Sequence, residues 1–161
     1  MQPGALAFIL FLILQRLTEL AIARRNTRRL LARGAVEHGA GHYPLIVLLH
    51  VCWLVAIAVL GRNNPVHLPW LALFALLQLA RIWVLVSLGP RWTTRIIVLD
   101  APLVKRGPYR LIRHPNYAVV VAEIFVAPMV LGLWQVALLF TVLNAAVLAI
   151  RIRSESRALG R

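Results

Sequence analysis

Apolar residues fall into five blocks, at about residues 5–23, 45–60, 70–88, 116–130 and 133–150, and the segments between them are polar and turn-rich. Blocks of this length and hydropathy predict membrane-spanning helices. The first helix is expected to run from about Pro3 through the arginines near residue 30, with its basic end emerging from the bilayer. The second block is short, with His42 and Tyr43 as interfacial anchors, and Trp70 suits the interface at the start of the third. Gly132 predicts a tight turn, so that the last two blocks form a helical hairpin. The fold class is all-α, a single integral membrane domain over residues 1–161.

A few polar residues interrupt the apolar blocks. Arg16 and Glu19 are three apart, share a helix face and can neutralise each other, beside Gln15. Whether they pair helices or touch a substrate is left open by spacing alone. Gln78 and Arg81 give the third block a donor face that calls for an anion. Glu123 lies roughly 12 Å along its helix from Pro115, inside the bilayer, where an ionisable group is costly without a polar partner. It can pair with Arg81, face a substrate, or both. His50 reads as a hydrogen-bonding residue of the bundle, and Asn144 lies within the fifth block.

Charge sharpens this picture. The net charge is +13, but the arginines cluster in short segments between apolar blocks, which is a topology signal before it is a nucleic-acid signal. Lysine plus arginine counts are 5 between Ala23 and Tyr43, 6 between Gly89 and Pro115 and 4 from Arg151 onward, against Arg62 alone in the opposite short loop. Five spans with the N-terminus outside and the C-terminus cytoplasmic satisfy the positive-inside rule. Hydrophobic residues make up 61% of the chain, and mean hydropathy is +0.79. Cys52, the single cysteine, is read as packing. His38 and His42 lack a third ligand, so no metal site is expected. The first apolar block lacks the flanks of a cleavable signal peptide.

The loop at 89–115 is the longest break. Thr93 to Leu99 is β-prone and Asp100-Ala101-Pro102 reads as a turn, so a hairpin excursion or an irregular segment is expected, serving as a lid or as a plain linker. The loop ends in the most basic tract of the chain, Lys105-Arg-Gly-Pro-Tyr-Arg-Leu-Ile-Arg-His-Pro-Asn-Tyr117. Pro115 suits the first position of a helix, with His114 just before it. Arg106, Arg110 and Arg113 can grip a carboxylate or phosphate, while Tyr109 and Tyr117 can stack on a purine or hydrogen-bond a polar group. A basic loop that only sets topology is the alternative.

Gly107-Pro108-Tyr109-Arg110 followed by Arg113-His114-Pro115-Asn116-Tyr117 resembles the signature of the isoprenylcysteine carboxyl methyltransferase family of integral membrane enzymes. Arg151-Ile152-Arg153-Ser154-Glu155-Ser156-Arg157-Ala158-Leu159 is similar to the family's closing motif, with Ser156 in place of its second glutamate. The family's tyrosine-containing tail has no counterpart before Arg161. The resemblance implies S-adenosylmethionine as methyl donor and a lipophilic acceptor entering from the bilayer. It also implies that Arg106, Gly107, Pro108, Tyr109, Arg113, His114, Pro115 and Tyr117 hold the cofactor. Arg151 and Glu155 would then lie near the reacting groups, brought beside His114 by the helical hairpin, and Glu123 joins them as a candidate base. Arg91-Trp92-Thr93-Thr94-Arg95, His42-Tyr43-Pro44 and Glu123 look like a compact bacterial branch associated with O-methylation of long-chain polyketide lipids such as alkylpyrones and alkylresorcinols. Two rivals remain: a membrane sterol or steroid reductase, whose NADPH phosphates would also suit the arginines, and a non-enzymatic subunit whose basic loops meet anionic lipid.

Overall fold

In a computed structural model, residues 2–102 and 104–158 are described. Leu159, the leucine of the closing motif, lies outside the described residues. Five helices carry the fold: α1 (Pro3–Leu31), α2 (Tyr43–Gly61), α3 (Leu68–Leu88), α4 (Pro115–Val130) and α5 (Trp134–Ala158). Four of these, all but α4, are long and apolar enough to cross a membrane. At 1.5 Å per residue the 16 residues of α4 reach about 24 Å, less than the roughly 30 Å of a hydrocarbon core. The segment expected as the fourth span is therefore an apolar helix shorter than a full crossing. Pro115 starts it, and the turn at Gly132 (φ +68°) ends it beyond Val130.

The bundle is apolar outside as well as inside. Leu14, Leu76 and Val142 are more than 60% exposed on the outer surface, as lipid-facing residues are. The interior is closed by Leu12, Trp53, Ile57, Ile124 and Leu131, each fully buried. Phe8 meets Phe74 edge to face with ring centroids 5.2 Å apart. The Trp53 indole donates to the Ile124 carbonyl at 3.1 Å, tying α2 to α4. At one end of the bundle Gln2 N–H donates to Arg62 O at 2.9 Å, and His67 N–H to Val130 O at 2.8 Å, so the α2–α3 connection packs against both the start of α1 and the end of α4.

Within the bundle Gln15, Arg16, Glu19, Gln78, Arg81 and Glu123 form one network. Arg16 donates to Glu19 at 3.1 Å and to Glu123 at 2.7 Å, and Arg81 donates to Glu123 at 2.9 Å and to both oxygens of Glu19. Gln78 donates to Glu123 at 3.0 Å and accepts from Gln15 at 2.6 Å. Two arginines thus face two glutamates on three helices, and the set is electrically neutral. Pairing of Arg16 with Glu19 and of Arg81 with Glu123 agrees with the sequence reading. The crossed contacts that join the two pairs were not expected. His50 bonds the Ile46 carbonyl of its own helix at 2.8 Å.

The loops at the other end differ from expectation in one respect. Ile96–Val98 is a strand, β2, but it does not turn back on its own segment. It pairs antiparallel with β1 (Val36–His38), from a stretch read as a turn-rich loop, with Glu37 opposite Ile97. An isolated local hairpin of such length is marginal, and the pairing is reinforced here by side chains across the two loops. Arg95 donates to Glu37 at 2.7 Å, its guanidinium lies 4.4 Å from the Tyr43 ring centroid, and Tyr43 shares a hydrogen bond with Thr94 at 3.1 Å. The bond to Glu37 holds Arg95 still more firmly protonated than usual.

Candidate active site

Three devices place the loop between α3 and α4. Asn26, buried on α1, donates to the Trp92 carbonyl at 2.9 Å and to the Gly89 carbonyl at 3.3 Å, so the chain leaving α3 is pinned to α1. Arg106 donates through Nε to the Ser87 carbonyl at 2.8 Å. Gly107 follows with φ +57°, and a β-carbon there would sit 2.1 Å from Ser87 Oγ. Only glycine combines that backbone with that approach. The short 3₁₀ turn Gly107–Arg110 then presents Tyr109, and Pro115 opens α4 as expected.

These constraints leave a cleft of about 950 Å³ between the β1–β2 side of the loop, the start of α4 and the end of α5. Tyr109, Arg113, His114, Tyr117, Arg151 and Glu155 all line it. The two motifs are thus brought together, 34 residues apart at Tyr117 and Arg151, by the α4–α5 hairpin. Arg151 Nε donates to Tyr117 Oη at 2.9 Å, and Tyr117 Oη donates to Glu155 Oε2 at 2.5 Å. Arg151 Nη1 donates to the Thr94 carbonyl at 2.8 Å, which joins α5 to the loop. Glu155 Oε2 also lies 3.7 Å from His114 Nδ1, and the His114 ring stacks on Tyr117 at 5.4 Å with 18° between planes. Burial, and then the Glu155 charge, raise the Tyr109 phenol above its usual pKa, so it is neutral at physiological pH.

Other expected residues lie elsewhere. Arg106 faces a neighbouring cleft, while Gly107, Pro108 and Pro115 shape the backbone without lining the main one. Glu123 is fully buried in the Arg16, Glu19, Arg81 network, and both its oxygens are taken there. Asn116 was not singled out from sequence. It lines the cleft and accepts from the Trp92 indole at 3.3 Å. Its place directly after Pro115, in the first turn of α4, is the signal that could have found it. Ile96 to Leu99, within the segment read as a lid or a linker, form one wall of the cleft. Among the described residues, no cluster of three or more metal-binding side chains occurs.

A model of the isoprenylcysteine carboxyl methyltransferase family matches residues 70–161, more than half of the chain and all but one of the residues that line the cleft. The chain belongs to this family. The exception is Leu30 of α1. "Uncharacterized protein YpbQ" of Bacillus subtilis (strain 168) is 40% identical over 157 residues, covering 94% of each chain. A second relative, an "Uncharacterized protein" of Haemophilus influenzae (strain ATCC 51907 / DSM 11121 / KW20 / Rd), is 26% identical over 152 residues, 89% of this chain and 88% of its own. No solved structure matches. Family membership makes this a membrane protein of a methyltransferase family. The matched range includes the Gly-Pro-Tyr block at 107–109 and the Arg-His-Pro-x-Tyr block at 113–117.

Proposed function

We propose that the protein is an S-adenosylmethionine-dependent methyltransferase that O-methylates a lipophilic acceptor at the membrane surface. The observation that carries this reading is the Arg151, Tyr117, Glu155 chain of hydrogen bonds meeting the Arg-His-Pro motif in one cleft. The donor set fits the cofactor. Tyr109, Tyr117 and His114 offer aromatic faces for a purine, Arg113 and Arg110 offer charge for a carboxylate, and the cleft volume lies in the usual range for small-molecule sites. When bound, the cofactor supplies an electrophilic methyl group on a sulfonium.

The chain's own task is then chiefly positioning, which can lower a displacement barrier by several kcal/mol. Arg151 spends Nε and Nη1 on Tyr117 and Thr94, and Nη2 has no partner among the described residues. That group can hold an acidic acceptor oxygen in line. Glu155 uses Oε2 for Tyr117, leaving Oε1 to receive a proton from a phenol or enol acceptor. A carboxylate acceptor needs no such base. Glu123 acts at one remove, by anchoring the helix that carries Tyr117. The acceptor is a carboxyl, phenol or enol lipid, with long-chain alkylpyrones and alkylresorcinols as the first compounds to assay. The cleft faces the cytoplasm of a bacterial plasma membrane, with the N-terminus outside.

Calorimetric titration of detergent-purified protein with S-adenosylmethionine and with NADPH, wild type beside His114→Ala, tests the cofactor. Saturable binding of S-adenosylmethionine alone, weakened at least ten-fold in the variant, is expected. Binding of NADPH instead, or of neither by folded protein, defeats the proposal.

A further inference from the structure

A second cleft, of about 460 Å³, opens beside the first and shares Leu88, Arg91, Val104 and Lys105 with it. Four cations line it, Arg33, Arg91, Lys105 and Arg106, and no carboxylate does. The whole sequence holds five acidic side chains. Glu19 and Glu123 are committed to Arg16 and Arg81, Glu37 to Arg95, and Glu155 to Tyr117 and His114. Asp100 forms no ion pair among the described residues, and neither does any of the four cations. Four positive charges therefore converge on one concavity whose counterion no described residue supplies. Its remaining lining is apolar, including Leu88 at the end of α3, the point at which a spanning helix leaves the bilayer.

We propose that this cleft binds the phosphate headgroup of an anionic lipid, seated at the rim of the candidate active site. Arginine forks match phosphate oxygens, and the apolar wall beside them suits the glycerol and first acyl carbons. Arg106 is held by its Nε bond to Ser87, and its terminal nitrogens have no hydrogen-bond partner among the described residues, so one donor is positioned in advance. The site is independent of the identity of the methyl acceptor, and it would couple occupancy by membrane lipid to the loop that bears Tyr109.

The test is calorimetric titration of the full chain in neutral detergent with dihexanoyl phosphatidic acid, dihexanoyl phosphatidylcholine and inorganic pyrophosphate. Wild type is compared with Arg33→Gln, which touches only this cleft, and with Arg25→Gln, an equal charge change on the exposed face of α1. Phosphatidic acid is expected to bind at least ten-fold more tightly than phosphatidylcholine. Arg33→Gln should weaken it about five-fold and Arg25→Gln by less than two-fold. Pyrophosphate binding with the same sensitivity to Arg33→Gln, and no tighter binding of the lipid, would keep the phosphate site but overturn the lipid as its source. Equal binding of the two lipids, or equal losses in the two variants, would overturn the site and leave only diffuse surface charge. Melting temperatures serve as the fold control, so the outcome does not depend on whether S-adenosylmethionine binds.

Discussion

Replacing Glu123 by glutamine keeps the shape of the buried network and removes one of its two negative charges. Glu123 is fully buried, with Arg16 at 2.7 Å and Arg81 at 2.9 Å on one oxygen and Gln78 at 3.0 Å on the other. The variant leaves two arginines sharing Glu19. Removing one partner of a buried ion pair costs about 3–5 kcal/mol, because the charge left behind has lost both water and counterion. For a chain of this size that corresponds to a melting temperature lower by the order of 10 °C. Thermal unfolding in detergent, followed by circular dichroism, reads the effect. The charge argument is separated from a packing argument by the cycle Glu123→Gln, Arg81→Gln and the double variant. The double variant leaves Arg16 with Glu19, a neutral pair, so its loss should fall short of the sum of the single losses by about 1–3 kcal/mol. S-adenosylmethionine affinity of the folded variant should stay within about three-fold of wild type, since Glu123 does not line the cleft. A Glu123→Gln protein within 1 kcal/mol of wild type, or additive single losses, would refute the reasoning.

Other perturbations reach the cleft more directly. Tyr117→Phe removes the hydroxyl between Arg151 and Glu155, and methyl transfer under single-turnover conditions should fall ten- to hundred-fold with a smaller change in cofactor affinity. Gly107→Ala places a β-carbon against Ser87 in a backbone region that alanine disfavours, so the melting temperature should drop by several degrees and S-adenosylmethionine binding should weaken. Glu37→Gln removes the ion pair with a partly exposed Arg95; overall stability should change by less than about 1 kcal/mol, while limited proteolysis between residues 90 and 105 should accelerate several-fold.

The helices were legible because hydropathy and proline placement are local properties. Pro115 at the start of α4, the turn at Gly132 and the hairpin that returns Arg151 and Glu155 to His114 all follow from short stretches read on their own. The same holds for Arg16 with Glu19, which are helical neighbours. Contacts between distant segments were harder. That Glu19 also binds Arg81 depends on how α1 leans on α3, and no periodicity encodes it. Strand β1 was missed because three residues carry little signal, and its partner strand is distant in sequence, with Glu37 opposite Ile97 and 58 residues from its ion-pair partner Arg95. Motif residues were recognised as a block, but the block mixes two duties. Tyr109, Arg113, His114 and Tyr117 line the cleft, whereas Gly107, Pro108 and Pro115 make the turns that hold them there.

The β1–β2 ladder also counts crossings. Residues 36–38 and 96–98 can pair only if they emerge on the same face of the bilayer, so the chain between them must traverse it an even number of times, as the two candidate spans α2 and α3 allow. The meeting of His114 with Glu155 imposes the same parity on α4 and α5, short though α4 is. Only α1 remains to change the sum. In the proposed five-span arrangement the two ends of the chain would lie on opposite faces, and a sequence change that deleted a single crossing would have to tear apart either the ladder or the site.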